Sequence, residues 1–431
     1  MNRMFFAILL CAVTLGAQQP APPPSNPAAP QPEAAAVAGH YVGVASCISS
    51  GCHGATQPLQ AQRIRKNEYY TWLHSDRHAG AYNILFNTDS ARIVKNMRLG
   101  KKPYKEQLCL DCHSTSVAPA MVSGRIDVED GVQCEACHGP ASGWQGEHMK
   151  PTWTHEQSVA NGMRDLRNTH VRGQLCDTCH VGAASKEVDH DLIASGHPIL
   201  QFELDNYTET MPPHWNRNNT HGVPAWAAGQ VTAFRDSLDN LARHARGEKW
   251  PEFSDMSCFN CHHALKTSTW RQERGWPGRP GLPAWSPQRW DVLRLIVARV
   301  SPDTRAQLDD AVQQLAARVS RMNDRDGVAT AAENARRLID PVAAKIDGLS
   351  WRDSDIRALM SAITEQSYPD VHSAEQAVLS LHSLATALSR NNNAYLKSGA
   401  MKAIDALFEE LKPRDDYEPA TFAAKLRAVK P

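Results

Sequence analysis

GVQCEACHGPASGWQGEH, residues 131–148, sets two cysteines three positions apart, follows the second at once with a histidine, and offers another histidine ten residues later. The first half of this pattern recurs along the chain. CLDCH spans 109–113, CEACH 134–138, CDTCH 176–180 and CFNCH 258–262, while CISSGCH at 47–53 has four residues between its cysteines. These five pairs use every cysteine except Cys11. Disulfides, zinc sites or redox dithiols would account for paired cysteines, but none of them needs a histidine behind the second. With 19 histidines in 431 residues, a histidine falls at a given position with a chance of about 0.04, so five in succession arise by accident about once in ten million chains.

C-x-x-C-H is the attachment sequence of c-type haem: two thiols join the macrocycle covalently and the adjacent imidazole becomes the proximal iron ligand. Five covalently attached haem c groups are therefore expected. Cys47, Cys52, Cys109, Cys112, Cys134, Cys137, Cys176, Cys179, Cys258 and Cys261 would be the attachment points, and His53, His113, His138, His180 and His262 the proximal ligands.

Such attachment needs an oxidising, extracytoplasmic compartment, and the amino terminus agrees. Residues 1–17 have Arg3, an apolar run from Met4 to Val13, and small residues at Gly16 and Ala17, the anatomy of a secretory signal peptide. Leu10 stands where a lipoprotein site wants a small residue, so Cys11 is read as part of the discarded signal. Residues 18–39 read as a Pro/Ala-rich linker, with seven prolines between 20 and 32 favouring an extended tether. No later stretch is apolar enough to cross a bilayer, so no transmembrane segment is expected after signal removal. With 46 basic and 46 acidic residues, the overall charge gives no reason to expect nucleic acid as a partner. Aromatics are only 7% of the chain, lean unless bound macrocycles help to fill the interior.

Haem iron takes a second axial ligand, and fourteen other histidines compete for five places. In CHGPASGWQGEH, Gly139, Pro140 and Gly143 let the chain double back, so His148 could reach a neighbouring haem, with Met149 as its competitor. His74 and His78 are four apart and would share one helical face, and either could ligate. His197 stands between Gly196 and Pro198 on a fixed backbone, with His190 upstream. His214 and His221 are weaker loop candidates, and His155 and His170 are no better. His263 follows a proximal ligand and reads as a haem-edge group. His40, His244, His372 and His382 are unassigned.

YVGVASC with its following CH at 41–53, Y-x-x-W-x-x-S-x-x-H-A at 69–79 and GVQCEACHGPASGWQGEH together resemble the multihaem cytochrome c superfamily of the cytochrome c-554 type, over residues 41–285. The resemblance implies that His78 and His148 are distal ligands to haems attached elsewhere in the chain. The segment DHDLIASGHP, 189–198, resembles a ligand-bearing stretch of larger relatives, which favours His197 and His190. The wide Cys47/Cys52 spacing is a variant found in some multihaem relatives. That family packs its haems in close pairs, and some of its members keep one five-coordinate iron. Cytochrome c-554 has four haems, against five motifs here.

After His263 the cysteines stop, and WPGRPGLPAWSP, 276–287, reads as a proline-rich boundary packed by its tryptophans. Leu308, Val312, Leu315, Val319 and Met322 then step by four and three along one helical face. Further helices are expected at 288–300, 328–347, 354–364 and 401–411. Another is expected at 374–389, capped by Ser373 and Gln376, with Val378, Leu381, Leu384 and Leu388 inward.

The expected fold is mainly α: a pentahaem cytochrome c domain at 40–285, with little strand and long loops around its haems, followed by an antiparallel helical bundle at 286–431. The leading functional expectation is an exported, periplasmic carrier that moves electrons between redox-partner proteins through largely bis-histidine haems. No catalytic constellation stands out from the sequence. The alternative is a haem-dependent oxidoreductase acting on a small nitrogen or sulfur compound at one open iron.

Overall fold

The computed structural model describes residues 39–59, 64–215, 222–262, 282–391, 395, 399–412 and 417–430. The signal and linker expectations (1–38), the first half of the 276–287 boundary (276–281), His221 and His263 lie outside these residues. Among the described residues no strand forms, only isolated bridges such as Tyr41 with Val122, and the fold is mainly α as expected. No helix is long and apolar enough to cross a membrane.

Up to residue 215 the helices are short. They are α1 (Glu68–Ser75), α2 (Thr88–Asn96), α3 (Gln107–His113), α4 (Cys134–His138), α5 (His155–Ala160), α6 (Thr169–His180), α7 (His190–Ala194) and α8 (Leu204–Thr210). Three of them, α3, α4 and α6, end on the histidine of a cysteine motif. In a helix, positions i, i+3 and i+4 share one face, so two thiols and the imidazole leave the backbone on the same side. The fifth motif keeps this turn as a 3₁₀ segment over Cys258–Asn260. The wide first motif makes no helix; its loop is closed by the N–H of His53 donating to the carbonyl of Cys47 at 3.1 Å.

The long helix α9 (Val223–Arg246) joins this region to the helices beyond residue 286. Two glycines let shorter helices come close to it. A Cβ on Gly229 would lie 2.5 Å from Leu204 Cβ of α8, and one on Gly173 of α6 would lie 2.5 Å from Thr232 Oγ1, both closer than atoms pack. The fourth cysteine motif, at the end of α6, is thereby fixed against α9.

Beyond residue 286 come α10 (Leu293–Val300), α11 (Pro302–Arg321), α12 (Arg325–Asp347), α13 (Asp353–Glu365), α14 (Val371–Asn391), α15 (Ala400–Leu411) and α16 (Pro419–Leu426). Their apolar stripes share one core with α9, running from Val223 to Val429, so the packing is continuous across residue 285. Leu308, Val312, Leu315 and Val319 face this core as the periodicity requires. Met322 does not continue the helix: α11 stops at Arg321, and Met322 turns the chain with a φ of 57°. The expected helix at 288–300 begins only at Leu293, because the chain after Pro287 turns through Trp290 and Asp291, whose N–H groups both donate to the Pro287 carbonyl. Helix α14 starts earlier than Ser373 would have it. Asp370 Oδ1 accepts from the N–H groups of His372 (2.8 Å) and Ser373 (3.3 Å), while Ser373 and Gln376 are buried. Val378, Leu381, Leu384 and Leu388 are fully buried as expected.

Phe234 is fully buried on α9, 5.3 Å from the ring of Trp290. Its truncation removes packing from both sides of the molecule, so Phe234→Ala should cost about 3–5 kcal/mol in denaturant unfolding. A second prediction concerns pH. Asp205 is buried at the start of α8, and burial, reinforced by the charge of Glu203, pushes its carboxyl up to about 7. The folded state then holds a proton that the unfolded chain releases near its ordinary value of 3.8. That stability is fully present below about pH 4 and is lost as pH rises through about 7. Asp205→Asn keeps an acceptor for the Gly222 N–H, now 2.6 Å from Oδ1. Its unfolding midpoint should fall less than the parent's between about pH 5 and about pH 8.

Candidate haem sites

Ten histidine rings meet in five pairs, and each pair joins one motif histidine to one histidine from another segment. The centroid separations are 6.1 Å for His53 and His148, 6.4 Å for His113 and His197, 6.4 Å for His138 and His214, 6.2 Å for His180 and His78, and 6.3 Å for His262 and His190. A metal-bound imidazole nitrogen lies about 2 Å from its metal and about 1 Å from its own ring centre, so two imidazoles on opposite sides of one ion have centroids about 6 Å apart. All five separations meet that requirement.

The outer nitrogens are held as axial ligation requires. Nδ1–H of His53 donates to Glu68 Oε2 at 3.0 Å, that of His78 to Asp76 Oδ1 at 2.9 Å, and that of His113 to the Ala81 carbonyl at 3.0 Å. His197 donates to the Pro198 carbonyl at 2.8 Å, and His148 to the carbonyl of Gln145. A proton fixed on Nδ1 leaves Nε2 with a free lone pair and sets the ring's orientation. Burial pushes His138 and His180 down to about 4 and also lowers His197 and His214, so these rings stay neutral. His78 is the exception: its bond to Asp76 raises it.

The thiols differ in their electrostatics: the hydrogen bond from Cys112 pulls Cys179 down to about 5, while the third motif's pair is held protonated. None is in a disulfide, and burial pushes Cys134 up to about 12 and Cys137 up to about 11, far from a reactive thiolate at neutral pH. Among the described residues no three His, Cys, Asp or Glu side chains converge as they would around a lone metal ion. The residues present fit haem c: two thiols and two opposed imidazoles at each place.

Numbered by motif, the sites are neighbours out of sequence order. His53 of site 1 acts electrostatically on both His138 and His214 of site 3. Cys137 of site 3 lies in the field of Cys179 of site 4, and Cys179 in turn accepts a hydrogen bond from the thiol of Cys112 of site 2. The sites therefore run in the order 1–3–4–2. Site 5 is built from α7 and the 253–262 segment, and it shares α7 with site 2, since the N–H of His197 donates to the Leu192 carbonyl at 3.1 Å. Phe253 meets the ring of His190 edge-on at 5.7 Å, and His372 Nε2 lies 3.7 Å from Cys258 Sγ.

Of the candidate distal residues, His78, His148, His190 and His197 each face a motif histidine. The helical-face reading of His74 and His78 needs correction. Helix α1 ends at Ser75, His78 lies in the turn beyond it, and His74 is exposed with its ring 5.9 Å from that of Tyr70. Met149 is 63% exposed and faces no motif histidine. His214, ranked low from sequence, completes the fifth pair. Its signal was present in MPPHW: Pro212 and Pro213 stiffen the approach, and Trp215 packs edge-on at 4.8 Å, the same rigid presentation that marked His197. His155 and His170 pair with Asp165 and Asp347 instead.

Glu135, between the cysteines of the third motif, ties site 1 to site 3. Its buried carboxylate accepts from the N–H groups of Val42, Gly43 and Ala141 at 2.7–3.1 Å. Glu135→Ala should strand these donors, at a cost of about 3 kcal/mol. Amide exchange at Val42, Gly43 and Ala141 should accelerate, and Glu135→Gln should recover part of the loss.

The family model described as cytochrome c554 and c-prime matches residues 49–139, which include the second and third motifs and all of the first but Cys47 and Ile48. That stretch, well under half of the chain, is what is similar to the c-type cytochromes of that family. Comparison with curated proteins and with solved structures returns no match.

Proposed function

We propose, taking the c-type cytochrome match of residues 49–139 as premise, that the protein is an exported pentahaem cytochrome that carries electrons between redox-partner proteins. The observation that carries this reading is the set of five opposed histidine pairs at 6.1–6.4 Å, each built on a cysteine motif. The ten motif cysteines would hold five haem c groups. His53, His113, His138, His180 and His262 would bind from one side, and His148, His197, His214, His78 and His190 respectively from the other. Bound there, haem c supplies reversible one-electron carriage.

The chain's own part is to hold, orient and tune. Asp76 and Glu68 place negative charge behind His78 and His53, which strengthens those rings as donors. With an imidazole on each side, no site retains a place for a small substrate, which favours a carrier over an oxidoreductase acting on a nitrogen or sulfur compound. The helices beyond residue 286 act as a scaffold that shares its core with α9. The signal-like residues 1–17 and ten cysteines in attachment motifs support export to a periplasmic or otherwise oxidising compartment.

Intact mass of the matured protein should equal the processed chain plus five haem groups. Carbon monoxide should leave the spectrum of the reduced protein unshifted, whereas a shift in the parent would favour the oxidoreductase reading. His214→Ala should open one haem of the five to carbon monoxide. The ring planes lie within 8° of parallel at site 1 but 71–87° apart at sites 2, 3 and 4. The low-spin paramagnetic resonance signal of site 1 should therefore differ in anisotropy from those three.

A further inference from the structure

The face around the His113–His197 pair is basic although the chain as a whole is neutral. Residues 92–105 contain Arg92, Lys95, Arg98, Lys101, Lys102 and Lys105 and no acidic residue, against 46 of each sign overall. All six side chains are exposed. Arg92 pairs with Asp89 at 3.0 Å, and among the described residues no ion pair engages the other five. Asp89 and Glu106 flank the run, and the local excess of cations over these two carboxylates is a source of long-range attraction.

Within this face sits an exposed aromatic that is held rigidly. Phe86 is 59% exposed, yet its ring stacks on Tyr104 at 4.4 Å and 10°, and Tyr82 meets it edge-on at 5.4 Å. Ile84, 51% exposed, is two residues away. Tyr104 packs on a small core of Tyr82, Leu85 and Leu110 that Cys109 also touches. An apolar, pre-ordered centre with a charged rim is the anatomy of a protein docking site.

The same elements hold both rings of site 2. The Ala81 carbonyl, at the start of the segment that bears Phe86, accepts from His113 Nδ1–H. Asn96, at the end of the helix that bears Arg92 and Lys95, donates from Nδ2 to the Ser195 carbonyl at 3.1 Å, two residues before His197.

We infer that this face docks an acidic electron-transfer protein, with Phe86 and Tyr104 as the apolar anchor and the surrounding cations steering the approach, and that electrons cross at the His113–His197 site. The inference rests on the proposed carrier function. The exchange moves one electron and makes or breaks no bond: the acidic donor is oxidised by one electron as the site is reduced by one, or the reverse.

The matured protein is tested with a plant-type [2Fe–2S] ferredoxin, a small and strongly acidic one-electron donor, as probe. Binding of the oxidised ferredoxin and stopped-flow reduction by the reduced form are measured at about 10 mM and about 500 mM ionic strength. The parent should bind and be reduced at least about tenfold faster at low salt. The triple variant K101E/K102E/K105E, checked for unchanged spectrum and melting temperature, should lose that advantage and converge with the parent at high salt. Phe86→Ser should weaken binding at both ionic strengths. A triple variant with the parent's salt profile overturns the inference. So does a triple variant that keeps ferredoxin binding but loses adhesion to phosphatidylglycerol vesicles, which would make the face a membrane contact. Matured protein without a redox-active haem spectrum, seen before any partner is added, overturns the carrier function and this inference together.

Discussion

Everything in the first half of the molecule is subordinate to one constraint: two imidazoles must face each other across a gap of about 6 Å, five times over, from segments far apart in sequence. A helix turn can place two thiols and one imidazole on a single face by its own geometry, but it cannot supply the opposing ring. That ring has to come from elsewhere, on a backbone stiff enough to hold it. Each distal histidine has its own device. Asp76 fixes His78, the Gln145 carbonyl fixes His148, prolines flank His197 and His214, and Asp189 caps the helix that opens with His190.

This constraint explains why regular structure is sparse before residue 215 and dense after it. The buried cluster near site 2 consists of Tyr82, Leu85 and Leu110, whereas the core shared by α9 and the bundle runs through more than a hundred residues of sequence. A cluster so small cannot offset the conformational entropy of the loops around it. On the proposed reading, covalently held macrocycles supply the missing apolar surface and pin the loops at the cysteines. The two halves therefore reach stability by different routes, and the close glycine contacts on α9 are where one is braced against the other.

How much of this was legible depends on the range of each signal. The motif histidines and the apolar helical stripes are local patterns, and they stand where the sequence put them. His148 was legible because its loop is short and rich in turn formers. His214 was not, because the reason it matters is the position of His138, which no nearby residue encodes. The end of α1 escapes the periodicity for a related cause: Asp76 leaves the helix to hold the next histidine, overriding the spacing of His74 and His78. Helix α14 starts before Ser373 because Asp370 is the better acceptor for its first amides, while Ser373 and Gln376 are taken up by the core. Helix α16, with Phe422 and Leu426 buried, is too short for its periodicity to stand out.

On the proposed reading, closing both sides of each iron would have a further consequence for selectivity. An enzyme recognises its substrate in a pocket, through a few directed contacts near the reacting atom. Sites bounded by two imidazoles would have no such pocket, so on that reading discrimination between partners would be made at the outer surface, by charge and by the few apolar side chains left there. A neutral chain can do this only by distributing its charges unevenly. The run of cations from Arg92 to Lys105 lies beside site 2, and the carboxylates of Glu187, Asp189 and Asp191 lie beside His190 of site 5, with Arg243 and Lys249 paired to the first two. The first group thus leaves most of its charge free while the second satisfies more of its charge internally, and a partner drawn by long-range attraction is drawn to the first.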